Sequence, residues 1–219
     1  MTSLFAVAHG TRSGAGQAQI RDLVAAVARR RPGLDVRLSY VDVQHPGIGE
    51  VVAGADRGAV VVPLLLSAGY HVRVDIAEAV AGTDIAVAAA LGPDDVLLES
   101  LVRHLPPADV VVLAAAGSAD PGWRAGVDEV ASRIPGGAHV AYASGSEPRV
   151  ADVVAGLRAH GARRIAIAAY LLADGLFYRT LHRAGADAVT PPLSLDPAVA
   201  GLVLRRFDSA LLTTASGRL

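Results

Sequence analysis

Two histidines and one aspartate have the types and spacing to do chemistry together. His9 ends an apolar run, residues 4–8, and Gly10, Thr11 and Arg12 follow it directly. His71 stands just beyond another apolar run, residues 59–66, after a turn containing Ser67 and Gly69. Asp42 lies near the end of an alternating stretch at 35–43. Two imidazoles and a carboxylate with open positions suit a divalent first-row metal: Fe(II), Co(II) or Ni(II). Neutral imidazole also accepts protons near neutral pH, so one site can hold a metal and deprotonate what the metal enters. Each residue also has a plainer use. A strand-end histidine can cap a turn, Asp42 can cap its loop, and His45 is close enough to compete with Asp42. Asp75, four residues after His71, either orients the imidazole or caps a helix.

Other chemistries are excluded by what the chain lacks. It has no cysteine, which removes disulfides, thiolate catalysis and cysteine metal sites. The spacing Gly10, Gly14, Gly16 is not the dinucleotide fingerprint, and with no lysine in the chain there is no Walker A motif. No nucleophile elbow is present. The formal net charge of −1 argues against nucleic-acid binding. No signal peptide and no membrane span are visible, so a cytoplasmic protein is expected.

Positioning these residues requires strand ends. Residues 4–8 and 59–66 read as buried parallel strands and 35–43 as a half-buried one. A fourth strand is expected at 85–91. Helices are expected at 17–31, 47–55, 72–80 and 94–105, the first ending in Arg29, Arg30 and Arg31, where cations are favoured. The βαβαβαβα order implies a parallel sheet covered on both faces. Ligands bind such sheets at the carboxyl ends of the strands, where His9 stands.

Beyond Pro106 and Pro107 the pattern restarts, predicting a first domain over 1–105 and a second over 108–219. In the second, strands are expected at 110–114, 138–143, 164–172 and near 188. Helices are expected at 120–133, 148–160, 176–184 and 197–211. Residues 40–54 align without gaps on 142–156, with six of fifteen positions identical. The turns are kept, but His9 aligns on Ala116 and His71 on Phe177. A histidine required by the scaffold would be expected in both halves.

His9-Gly10-Thr11-Arg12 resembles the His-Gly-Ser-Arg motif of the CbiX/SirB sirohydrochlorin chelatases. Pro63-Leu64-Leu65-Leu66, then Gly69-Tyr70-His71, then Asp75-Ile76, resemble that family's second motif. The duplicated layout is similar to its long bacterial members. The resemblance implies a class II chelatase fold: two tandem α/β domains, each a four-stranded parallel sheet flanked by helices, facing each other across a cleft. It implies ATP-independent insertion of Fe2+ into sirohydrochlorin for sirohaem, with no organic cofactor. The alternatives are Co2+ insertion for cobalamin and non-catalytic carriage of a metal or tetrapyrrole; Ni2+ is a further candidate ion. His9 and His71 match the family's metal-binding, proton-accepting histidines. Asp42 falls where the family often has Glu. For a flat macrocycle fringed by carboxylates, Leu66, Ala68, Leu172 and Phe177 are candidate floor residues. Arg12, Arg73 and Arg179 are candidate carboxylate ligands, with Gly10, Thr11, Ser67 and Gly69 in the binding turns. Single-half relatives work as dimers, so the fused repeat implies a monomer. The first domain is expected to carry the chemistry and the second to close over the macrocycle.

Overall fold

The computed structural model describes residues 2–55, 58–67 and 70–216, and for 70–73 and 214–216 the backbone alone. Its elements run β1 (Ser3–Ala8), α1 (Gly14–Arg30), β2 (Asp35–Tyr40), α2 (Ile48–Ala53), β3 (Val60–Pro63), α3 (Tyr70–Val80), β4 (Ala86–Val87) and α4 (Asp95–His104). The second series is β5 (Val110–Ala115), α5 (Pro121–Arg133), β6 (His139–Tyr142), α6 (Val150–Ala159), β7 (Ile165–Tyr170), α7 (Leu176–Leu181) and β8 (Ala188–Val189). A 3-10 turn at Leu193–Leu195 and α8 (Ala198–Ser216) complete it.

The first four strands form one parallel sheet in the order β2-β1-β3-β4, the next four another in the order β6-β5-β7-β8. All six residues of β1 and all six of β7 are buried, as central strands covered on both faces must be. Phe5, Val7 and Val61 pack against Ile48, Val52 and Ile76 of α2 and α3. Phe5 is wholly buried, and emptying such a site costs on the order of 3–5 kcal/mol. In both sheets the order reverses beside the first strand, and the crevice at that point lies at the carboxyl ends of β1 and β3 or of β5 and β7.

The expected strand at 85–91 is shorter, with only Ala86–Val87 laddered. Beyond it the chain keeps only spaced bonds, Ala88 N–H to Val61 C=O at 2.8 Å and Leu91 N–H to Leu65 C=O at 2.8 Å. The run Ala88-Ala89-Ala90 supplies none of the β-branched bulk that favours a strand.

The compact units differ from the expected domains 1–105 and 108–219. One comprises residues 1–92 with 197–219, the other residues 93–196. The cause is an exchange of final helices. α4 follows the first sheet in sequence but packs on β7 and the 3-10 turn, whereas α8 packs on α1, β3 and β4. Polar contacts hold each exchanged helix. From α8, Arg206 donates to the carbonyls of Ala90 and Leu91 (both 2.8 Å), and Asp208 accepts from both terminal nitrogens of Arg31. From α4, Arg103 donates to the buried carboxylate of Asp196 at 2.8 Å. No helix among the described residues is long and apolar enough to cross a membrane.

Candidate metal and macrocycle site

Parallel pairing of β1 with β2 continues past the ends of both strands. Val41 N–H donates to Ala8 C=O (2.9 Å) and Asp42 N–H to His9 C=O (3.0 Å). The register that sets Ala8 beside Tyr40 brings Asp42 beside Gly10, one residue along from His9 on the adjacent strand end, and both His9 and Asp42 are exposed.

Gly10 makes this pairing possible. Its φ is +101°, and a Cβ there would lie 2.0 Å from the Asp42 carbonyl oxygen. Gly117 in the second unit repeats the arrangement, with φ +112° and 1.8 Å to the Ser144 carbonyl oxygen. Both first strands thus leave the sheet through the same turn, which only glycine fits.

The chain after Asp42 turns back at once. Gln44 N–H donates to Asp42 C=O at 2.8 Å, closing a three-residue γ-turn centred on Val43 at φ 70°. Val43 N–H donates to Asp42 Oδ1 at 2.7 Å, fixing the carboxylate. The turn after β1 is clamped by two glutamine side chains. Thr11 N–H donates to Gln44 Oε1 (2.9 Å), and Gln17 Nε2 donates to Thr11 C=O (2.8 Å). The Thr11 hydroxyl accepts from Ser13 N–H, and Ser13 caps α1 by accepting from Gly16 N–H. Arg12 projects from this clamped turn, exposed and without an ion pair among the described residues.

His45 bonds within its own loop. Its Nδ1 lies 3.0 Å from Glu50 Oε1, and the same oxygen accepts from Gly47 N–H at 2.8 Å. These bonds, that from Gly47 foremost, hold the Glu50 carboxyl below its ordinary range.

His71 is the second residue of α3, which starts just after the β3 turn. The side chains of His71 and Arg73, and the whole of Ala68 and Gly69, lie outside the described residues. Ser67 and Leu66 are half-buried on the described part of that turn, and Asp75 is exposed. Among the described residues no three metal-ligating side chains cluster.

In the second unit the same positions carry neither histidine nor carboxylate. Ala116 and Ser144 replace His9 and Asp42. Arg124, the counterpart of Gln17, donates to Ser118 C=O (2.9 Å) and to Ser146 Oγ (3.3 Å), and stacks over Tyr142. Ser146, the counterpart of Gln44, donates to Ser118 C=O at 3.1 Å. Phe177 is 38% exposed at the start of α7 beside the more exposed Leu176. Leu172 is half-buried. Arg179 Nε donates to Asp174 Oδ1 at 3.0 Å, so this guanidinium already holds a carboxylate of its own loop.

The two glutamines and Val43 were not singled out from sequence. A signal was present in the repeat, where Gln17, Val43 and Gln44 align on Arg124, Gly145 and Ser146 while the turns around them are kept.

Known proteins share this fold. SirB from Bacillus subtilis with Fe3+ has a TM-score of 0.80 at 18% identity, over 98% of this chain and 97% of that one. The sirohydrochlorin chelatase SirB from B. subtilis subspecies spizizenii in complex with cobalt gives 0.75 at 18% identity, over 96% and 95%. A multi-domain Deinococcus radiodurans protein, described as structurally similar to chelatases, gives 0.69 at 20% identity. It matches over 94% of this chain and 54% of its own length. No curated protein matches the sequence. The sequence matches the CbiX family twice, over residues 3–107 and again over 110–210, and on those tandem matches the chain belongs to the CbiX family, in its long two-domain form.

Proposed function

We propose that the protein is an ATP-independent chelatase that inserts a divalent metal into sirohydrochlorin. Fe2+ is the proposed physiological ion and Co2+ the alternative. Family membership supports this reading, as do the two B. subtilis neighbours, one with Fe3+ and one with cobalt. The observation that carries it is the meeting of His9 and Asp42 at the carboxyl ends of β1 and β2, on a turn kept in the second unit without either residue.

On this reading His9 and His71 receive the metal and accept the pyrrole N–H protons, and Asp42 is the third metal ligand. An imidazole pair with one carboxylate suits Fe2+ and Co2+ and leaves positions open for the ring nitrogens. One metal ion then enters from one face of the ring while the same imidazoles take up the departing protons. Arg12, free of ion pairs among the described residues, binds a peripheral carboxylate, and Arg73 and Arg179 are further candidates. Gly10, Thr11, Ser67 and Gly69 shape the binding turns, and Leu66, Leu172 and Phe177 offer apolar contact.

The test is a metallation assay with sirohydrochlorin, following the absorbance change with Fe2+, Co2+ and Ni2+ in parallel. His9→Ala and His71→Ala should each abolish insertion and leave binding of the metal-free macrocycle nearly intact. No turnover with any of the three ions, or near-wild-type turnover in either variant, would sink the reading.

A further inference from the structure

Val43 is a β-branched residue in a conformation that such residues avoid. Its φ of 70° lies in the left-handed region, at the centre of the γ-turn closed by Gln44 N–H and Asp42 C=O. That turn type, with φ near about +75°, is rare and strained, and a branched Cβ makes it worse. The strain is not offset by burial, because Val43 is 46% exposed.

The second unit makes the same left-handed turn without a valine. Its counterpart, Gly145, has φ 62° in the same loop. The surrounding bonds match: Ser144 N–H reaches Ala116 C=O (2.9 Å) as Asp42 N–H reaches His9 C=O (3.0 Å), and Tyr142 N–H reaches Pro148 C=O (2.9 Å) as Tyr40 N–H reaches Pro46 C=O (3.0 Å). Glycine makes the turn without strain and would still offer its N–H to Asp42 Oδ1. What valine adds is a side chain, and it adds it in the unit that carries His9.

The side chain also stands at the site. Val43 Cβ lies 3.3 Å from where a Gly10 Cβ would be, so it covers the open face of the glycine that follows His9. It is an apolar group beside two polar ones, His9 and Asp42, all three exposed at the same strand ends.

We propose that the Val43 side chain is a substrate-positioning contact, held in a strained turn so that its methyl groups meet the flat apolar face of the tetrapyrrole beside His9. This rests on the chelatase reading above. Strain maintained at a binding site is a known use of sparsely populated backbone conformations. A fixed branched side chain has little rotamer freedom to lose when a ring settles on it.

The experiment compares wild type, Val43→Gly and Val43→Leu in three measurements: fluorescence titration with metal-free sirohydrochlorin, calorimetric titration with Co2+ alone, and thermal unfolding. Val43→Gly should bind the macrocycle about tenfold more weakly, the effect of losing one buried valine side chain. Its Co2+ affinity should be unchanged. Its unfolding midpoint should equal or exceed that of wild type, which separates lost contact from lost fold. Val43→Leu should bind the macrocycle as wild type does. Equal macrocycle binding by wild type and Val43→Gly overturns this inference and leaves the chelatase reading standing. A loss in Val43→Gly confined to Co2+ also overturns it, since the turn would then serve Asp42 alone. A wild-type protein that takes up no macrocycle overturns both.

Discussion

Gly10→Ala should be among the most damaging single-methyl additions to this protein, and the structure says by how much. The new Cβ would stand 2.0 Å from the Asp42 carbonyl oxygen, against backbone that cannot swing away as a side-chain tip can. Real Cβ contacts essentially never fall below 3.0 Å, so the two strand ends must part by about 1 Å. That movement breaks or bends the bonds from Asp42 N–H to His9 C=O and from Gln44 N–H to Asp42 C=O. Each is worth about 1 kcal/mol. Holding alanine at a φ of +101° adds roughly 1–2 kcal/mol. Alanine restricts the unfolded chain and returns about 0.5 kcal/mol. The net expectation is a loss of about 3 kcal/mol, read by urea denaturation followed by far-UV circular dichroism. Gly117→Ala is the matched control, with φ +112° and 1.8 Å to the Ser144 carbonyl oxygen. It should lose a similar amount of stability without moving His9 relative to Asp42. Residual metallation per folded molecule should therefore fall in Gly10→Ala only. A Gly10→Ala protein within about 0.5 kcal/mol of wild type would refute the steric argument.

Gln44→Ala removes the acceptor for Thr11 N–H, and should slow metallation several-fold with about 1 kcal/mol lost in stability; Gln44→Glu, which keeps an acceptor, should recover most of the rate in the same assay. Ser39→Ala should be neutral or stabilising by about 1 kcal/mol in urea melts, because the fully buried Ser39 hydroxyl has no hydrogen-bond partner among the described residues and the second unit has Ala141 at that position. Asp208 is held below the ordinary carboxylate range, first by its hydrogen bonds from Arg31. The folded state therefore binds fewer protons than the unfolded state between the two pKa values. The contribution is present above about pH 4 and lost as pH falls through the depressed value. Asp208→Asn should flatten the acid limb of a stability-versus-pH curve, and an unchanged limb would show that the pair is not coupled to folding.

How much of this was legible in the sequence depends on the distance over which each cause acts. Strands β3 and β5 could be read because an unbroken apolar run such as 59–66 has few alternatives once a glycine precedes it and a turn follows. His9 and Asp42 could be placed at strand ends for the same reason, and the ladder bonds between them follow from parallel pairing. The Val43 turn could not be read forward, since valine's own preference points to a strand and the tertiary bonds of Asp42 override it. The glutamine clamp was missed because an amide side chain advertises no chemistry. The helix exchange was hidden for another reason. The apolar stripe on α4 records that one face is buried, but nothing in its spacing says which sheet buries it. Pro106 and Pro107 mark where the repeat restarts, and the compact units divide at 92/93 and 196/197 instead.

That division has a consequence for synthesis. Residues 93–196 form one uninterrupted unit, inserted between the two pieces of the other. During synthesis β1 to β4 emerge before residues 93–196, yet that sheet waits for α8, which follows the whole of the other unit. Domains tend to fold as they leave the ribosome, so the later-encoded unit has all of its parts first. The half that carries His9 closes only after α8 has been made, and the apolar surface of β3 and β4 that α8 covers stays open to solvent until then. A ribosome stalled after residue 196 would therefore hold a completed second unit and an unfinished first one.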